Sequence, residues 1–127
     1  MAQRTYDQLL LLKDAGAVTA SGAATVGGQA RVLDLGTGKI ESRAVVDTSA
    51  LDLTSSDETY RVAIQGSTTA GFAGPVELGS RAVSAAGRSE VFFGNEVGST
   101  IYQFVRAFLT LGGTTPSINC TVFIAKG

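Results

Sequence analysis

Apolar and polar residues alternate in several short segments of the chain, with the period of two that is typical of half-buried β-strands. The clearest segment spans residues 60–65, where apolar and more polar residues alternate until a Gly-Ser-Thr-Thr cluster ends the pattern. Near the end of the chain the pattern returns, and one face carries Ile118, Cys120, Val122 and Ile124. The opposite face carries Ser117, Asn119 and Thr121. Both segments are predicted to be strands with one face in a core.

The longest apolar stretch, residues 100–111, is apolar on both faces of a predicted strand. One face carries, around a single Gln103, the residues Ile101, Val105, Ala107, Leu109 and Leu111. The other face carries Tyr102, Phe104, Arg106 and Phe108. Because a strand that is apolar on both faces is covered on both faces, we expect one face in the domain core and the other at a contact with another chain.

Two interpretations of the second face remain open. In the first, its four residues form a protein interface, because aromatic residues and arginine are enriched in interfaces. In the second, they are the second layer of a core that other strands of the same chain close. Arg106 would then be paired within its own chain, with Glu58 or Glu90 as candidates. The arginine among the aromatic residues favours the interface.

The other strand patterns are weaker. They place strands at residues 30–35, 42–53, 72–83 and 90–93, and an extra strand near residues 9–12. Alternation is lost around residues 47–49, which predicts a bulge or bend there. β-Branched residues and glycine interrupt every candidate helix, and the glycine-rich residues 15–28 are predicted to be a long mobile loop.

These patterns predict an all-β chain, folded as a single antiparallel β-sandwich of jelly-roll type with a long Gly-rich N-terminal loop. No linker or fixed-period repeat divides the sequence. We therefore expect one domain over residues 1–127, with an arm and loop region at 1–29 and the sandwich core at 30–127.

Composition favours a subunit of an assembly. Hydrophobic residues make up 44% of the chain and charged residues 17%, with a net charge of −1. A surface with so few charges repels other proteins weakly. The Lys and Arg residues form no basic run, so no nucleic-acid partner is expected. No stretch has membrane-spanning length, and the short apolar run at residues 9–12 is no secretory signal, so we expect synthesis in the cytoplasm and no membrane partner.

The residues that carry most acid–base and metal chemistry are missing. The sequence has no histidine, which excludes Ser-His-Asp and Cys-His catalytic sites. The single Cys120 cannot hold zinc, and it is predicted to be a small buried residue on a strand. Adjacent Asp57 and Glu58 point apart on an extended backbone and make no catalytic pair. We therefore predict no catalytic residue, no metal site and no cofactor, and expect that the protein is not an enzyme.

A series of short sequence motifs occurs in order through about the last two-thirds of the chain. They are Asp57-Glu58-Thr59-Tyr60, Gln65-Gly66-Ser67, Phe72, Val76-Glu77-Leu78-Gly79, Gly87-Arg88, Asn95-Glu96, Thr100-Ile101-Tyr102-Gln103-Phe104-Val105-Arg106, Gly112-Gly113-Thr114 and Pro116-Ser117-Ile118-Asn119. In order and spacing, this series resembles the capsid cement (head decoration) proteins of tailed bacteriophages. The motifs that show this resemblance are structural, and none of them is catalytic.

This resemblance implies a jelly-roll subunit, commonly a homotrimer, which clamps neighbouring major capsid proteins on the outer surface of the head. The implied partners are further copies of the chain and the major capsid protein, and the implied location is the virion, after synthesis in the host cytoplasm. The alternative is a small β-sandwich carbohydrate-binding or tail-fibre-type adhesion module. That class needs an exposed aromatic platform, for which the absence of Trp and the presence of only three Tyr are unfavourable.

Overall fold

The structure is a computed structural model and describes residues 10–125. The strands in this part of the chain are β1 Leu11–Lys13, β2 Ala17–Val18, β3 Gly22–Ala23, β4 Thr25–Val26, β5 Gln29–Ala30, β6 Leu33–Asp34, β7 Glu41–Leu51, β8 Thr59–Ser67, β9 Val76–Ala82, β10 Gly87–Gly94, β11 Glu96–Val97, β12 Thr100–Ile101, β13 Phe104–Gly112 and β14 Ile118–Ala125. Their pairings are antiparallel. The predicted all-β, antiparallel fold class is confirmed.

Two larger sheets form a β-sandwich. Sheet A has the order β1-β14-β7-β10, with β2 also paired to β14, and sheet B has the order β3-β13-β8-β9, with β6 also paired to β13. Among the strands of seven residues or more, the chain changes sheet at every connection except the one between β8 and β9. This order favours the jelly-roll form, which stays a prediction.

The core lies between the two sheets, at the alternating positions that the sequence marks. Sheet A contributes four buried residues of its central strand β14, namely Ile118, Cys120, Val122 and Ile124. Sheet B contributes, from β8 and β13, the residues Tyr60, Val62, Ile64, Val105, Ala107 and Leu109. The predicted inward faces of these strands are therefore confirmed. Burial raises the pKa of the Cys120 thiol, an effect that the charge of Lys13 opposes.

The stretch 100–111 is not one strand, and this prediction is wrong. β12 ends at Ile101 and β13 begins at Phe104. Between them, the Tyr102 amide donates to the Asn95 carbonyl at 2.7 Å, and the Gln103 carbonyl accepts from the Leu35 amide at 2.7 Å. These two residues satisfy their backbone groups in contacts outside the sheet ladders, so the strand is interrupted.

The other strand boundaries also differ from the predictions in part. Residues 15–28, predicted to be a loop, contain the short strands β2, β3 and β4, which pair with β14, β13 and β5. The strand predicted over 72–83 begins only at Val76, and the one near residues 9–12 begins at Leu11, with Leu9 outside the described residues. The bulge predicted at 47–49 is confirmed, because the register of β7 on β14 skips Ser49.

One side of the sandwich is closed by a close approach of β9 to β10. A Cβ atom placed on Gly79 of β9 would lie 2.4 Å from the carbonyl oxygen of Phe92 in β10. It would also lie 3.3 Å from side-chain atoms of Val91 and Phe93. Only a residue without a side chain allows the two edge strands to come this close.

Candidate functional site

The outer face of sheet B carries four neighbouring side chains, Gln65, Phe72, Arg106 and Phe108, which we call the Arg106 cluster. Strand alternation exposes Arg106 and Phe108 on this face, because the intervening Ala107 is buried in the core. Gln65 lies directly opposite Arg106 in the pairing of β8 with β13. Phe72 comes from the connection between β8 and β9. Three separate segments therefore meet around one guanidinium group.

The guanidinium of Arg106 is held by one hydrogen bond and two aromatic rings. Its Nε donates to Oε1 of Gln65 at 2.9 Å. Its Cζ atom lies over the Phe72 ring, 4.3 Å from the centroid, and 5.9 Å from the centroid of Phe108. Cation–π contacts of this kind contribute about 0.5–2 kcal/mol, depending on desolvation. Burial lowers the pKa of Arg106, yet an arginine side chain stays charged in proteins.

Hydrogen bonds within the β8–β9 connection place Phe72 under the arginine. The Phe72 amide donates to the Thr69 carbonyl at 3.0 Å, and the hydroxyl of Ser67 donates to the Ala73 carbonyl at 2.7 Å. Phe72 has a φ of 59°, in the left-handed region that bulky residues avoid. Its ring is buried. The connection thus folds back over sheet B and covers part of the outer face.

The structure brings together three of the four predicted interface residues. Phe104, Arg106 and Phe108 project from the same face of β13 and are half-buried. Tyr102 does not join them: its Cβ lies 2.9 Å from where a Cβ of Gly66 would be, and Gly66 is paired with the core residue Val105. The strand interruption at 102–103 turns Tyr102 to the core side of sheet B.

Neither Glu58 nor Glu90, the two intrachain partners considered for Arg106 in the alternative interpretation, is paired with it, so that prediction is wrong. Glu58 accepts hydrogen bonds from the Ser55 amide and the Thr115 hydroxyl, and Glu90 forms an ion pair with Arg43 at 3.2 Å. Arg106 contacts Gln65 and Phe72 instead. Sequence analysis assigned neither of these to the site. The one sequence feature that indicates Gln65 is its place on the polar face of the alternating segment 60–65.

A second candidate surface is an open groove of about 640 Å³ at one end of the sandwich. We call it the Phe92 groove; its lining residues are Glu41, Ser42, Arg43, Leu78, Phe92, Phe93, Gly94 and Ala125. Phe92 is 69% exposed, which makes it the most exposed large apolar side chain among residues 10–125. Arg43 faces it across the ladder of β7 and β10 and lies 3.2 Å from the Glu90 carboxylate. The groove therefore combines an aromatic surface with charged neighbours.

Three aspartates outside these surfaces, Asp34, Asp52 and Asp57, accept hydrogen bonds that lower their pKa. The pKa of Asp57 is lowered by the hydroxyl and then the amide of Thr114, and that of Asp52 by the same two groups of Thr54. In Asp34, the side chain of Gln103 and then the Gly36 amide lower the pKa. Asp34 and Asp52 accept from the amide two residues on, as in Asx turns, whereas Asp57 and Thr114, like Asp34 and Gln103, connect segments distant in sequence.

Two absences can be stated for residues 10–125, the part of the chain that the structure describes. Within that range, no three His, Cys, Asp or Glu side chains are grouped closely enough to hold a metal ion. The same residues contain no helix of the length and apolar character needed to cross a membrane.

Comparisons with known proteins found no matching protein family and no matching curated protein. Among solved structures, the chain is similar to the CBM22-1 and GH10 modules of endo-1,4-β-D-xylanase 10B from Clostridium thermocellum, complexed with xylohexaose. The identity is 11% and the TM-score 0.39, over 87% of this chain and 25% of that chain. This chain thus spans about a quarter of the other's length, and a likeness at this level carries no argument about function.

Proposed function

We propose that this chain is a non-catalytic structural protein that decorates the outer surface of a tailed-phage capsid and clamps neighbouring major capsid proteins. The observation that carries the proposal is the Arg106 cluster, where an arginine and aromatic rings meet on the outer face of a sheet. Arginine and aromatic anchors of this kind dominate the energy of protein interfaces. The sequence motifs that resemble those of capsid cement proteins support the same role. The protein would be made in the host cytoplasm and act on the virion.

The proposed mechanism is additive burial at many symmetry-related contacts. Each subunit presents these residues from a packed sandwich, because the outer-face residues of β13 alternate with buried core residues. Phe104 and Phe108 supply apolar area, and Arg106 supplies directed hydrogen bonds. When one oligomer bridges several capsid subunits, modest contacts add up to strong binding. Such a clamp resists the outward pressure of packaged DNA.

The chain is expected to form a homo-oligomer, most simply the homotrimer that the resemblance implies. Away from the Arg106 cluster, Phe92 on β10 and Val97 on β11 are exposed and leave apolar surface for a neighbouring copy. Light scattering at micromolar concentration should therefore give about three times the 13.0 kDa of one chain. A species that stays at the mass of one chain when concentrated would contradict this expectation.

Capsid binding is tested by sedimentation with shells assembled from the major capsid protein of the tailed phage to which the proposal assigns this chain. The wild-type protein should pellet with the shells. Arg106→Ala should weaken this association by about 1–3 kcal/mol, as truncation of interface arginines often does. It should also lower stability by about 1 kcal/mol, since the contacts with Gln65 and Phe72 are lost.

Arg61→Ala is the matched control, because Arg61 is exposed on the neighbouring strand and forms an ion pair with Glu77. Binding to shells should be the same as for the wild type, since exposed pairs contribute little. A wild-type protein that stays in the supernatant would exclude the capsid role. A large drop in melting temperature for Arg106→Ala, with unchanged association, would exclude the cluster as the interface.

A carbohydrate-binding or adhesion module is the second candidate, and the exposed Phe92 is the observation that favours it. Aromatic faces bind the apolar face of sugar rings, and the Phe92 groove has polar side chains beside its ring. Glycan-array binding that Phe92→Ala abolishes, with no binding to shells, would support this module over the capsid role.

A further inference from the structure

The guanidinium of Arg106 is held in place through its Nε atom and one face, and its two Nη atoms make no hydrogen bond within residues 10–125. The bond from Nε to Gln65 and the ring of Phe72 define the plane and direction of the group. Within residues 10–125, neither Nη atom of Arg106 has a hydrogen bond or an ion pair with the protein. These two nitrogens therefore present a pair of parallel donors away from Gln65.

Three of the other four strand arginines have a carboxylate partner, and the fourth, Arg81, is exposed rather than half-buried. Arg43, Arg61 and Arg88 each lie within 3.3 Å of a carboxylate of a neighbouring strand. Arg106 is partly desolvated, which lowers its pKa, yet the part of the chain that the structure describes supplies it with no carboxylate. A partly buried cation without a counter-charge gains most from an anion that approaches from outside.

The free edge suits an anion with two adjacent oxygens, and on an unmodified protein partner that group is a carboxylate. Two parallel N–H groups match the two oxygens of a carboxylate, which they bind in bidentate fashion, whereas a single carbonyl oxygen fills only one of them. The Phe72 ring under the guanidinium and the nearby Phe108 ring leave Arg106 half-buried, so an ion pair there is screened less by water than at an open surface.

We infer that the Arg106 cluster is a receptor for a carboxylate, and that the partner protein places an Asp or Glu side chain on the Nη edge of Arg106. The identity of the partner as the major capsid protein rests on the proposed function; the carboxylate receptor rests on the geometry alone. Gln65 acts as a positioning residue, since it orients the guanidinium and leaves the Nη edge free.

The receptor itself is tested with acetate as the probe, by NMR of arginine side chains. Titration with sodium acetate should shift the Arg106 signals and then saturate, while sodium chloride at the same ionic strength should not. The signals of Arg61 serve as the internal control and should respond to both salts alike. Gln65→Leu should weaken the acetate response, because the guanidinium loses its fixed direction. Acetate shifts at Arg106 that never saturate and equal those in chloride would overturn the inference.

The partner is tested with shells whose carboxylates have been amidated by a carbodiimide and glycinamide. Wild-type binding should fall to the level of Arg106→Ala on untreated shells, and amidation should then have little further effect on that variant. Arg106→Lys, which keeps the charge and loses the paired donors, should bind nearly as weakly as Arg106→Ala.

The two failures are distinguishable. If the wild type does not bind untreated shells, but the acetate-induced shift of the Arg106 signals saturates, the capsid role is wrong and the carboxylate receptor is supported. If the wild type binds, while amidated shells and Arg106→Lys bind equally well, the capsid role stands and the carboxylate receptor is wrong.

Discussion

Val122→Asp is expected to leave the protein unfolded or insoluble. Val122 lies on β14, fully buried between the sheets beside Ile118 and Ile124. An aspartate there would bury a carboxylate without a partner, which costs several kcal/mol. That is a large share of the roughly 5–15 kcal/mol that stabilises a domain of this kind. Soluble yield and thermal unfolding measure the effect.

Thr110→Asp is the control for this substitution. It adds the same carboxylate to an exposed position of β13, directly opposite Arg61. Opposite charges across a strand pair are mildly favourable, so the melting temperature should change little. A soluble Val122→Asp variant with an unchanged melting temperature would mean that β14 is displaced by one residue, with its faces exchanged.

Gly79→Ala is expected to cost about 3 kcal/mol and to lower the melting temperature by about 10 °C. The added Cβ would lie 2.4 Å from the Phe92 carbonyl oxygen, which is a backbone atom and cannot rotate away. The two edge strands must therefore separate, which opens the closed side of the sandwich. Thermal unfolding followed by circular dichroism measures the change.

Gly71→Ala serves as the matched control, since a Cβ at Gly71 meets nothing within 4 Å and its backbone is not left-handed. This variant should be as stable as the wild type, or slightly more stable because its unfolded chain has less conformational freedom. Equal stability of both alanine variants would show that β9 and β10 do not approach each other so closely in solution.

The fold was predictable from sequence where one strand face is buried and the other is solvated. Alternation in residues 60–65 and 118–124 fixes which side chains point inward, and the core positions follow from it. The interruption at Tyr102 and Gln103 was not predictable, because their backbone partners Asn95 and Leu35 lie elsewhere in the sequence. An apolar run carries no sign of such contacts.

The candidate site was predictable only in its strand component. Phe104, Arg106 and Phe108 share a face because they are two residues apart. The contact of Gln65 with Arg106 depends on the register between β8 and β13, which cannot be read from the residues of either strand alone. Phe72 looks like a strand residue, and its left-handed backbone is imposed by hydrogen bonds of Ser67 and Thr69.

The order of strands in sheet A also determines when the sheet can be completed during synthesis. β7 lies between β10 and β14, and β14 ends at Ala125. On the ribosome, β7 therefore emerges long before the strand that covers its second edge. Until β14 leaves the exit tunnel, that edge of β7 has unpaired amides and carbonyls, to which any other extended chain could add. The nascent protein is therefore exposed to such additions for as long as β14 is still being made, since sheet A cannot be complete before β14 has emerged.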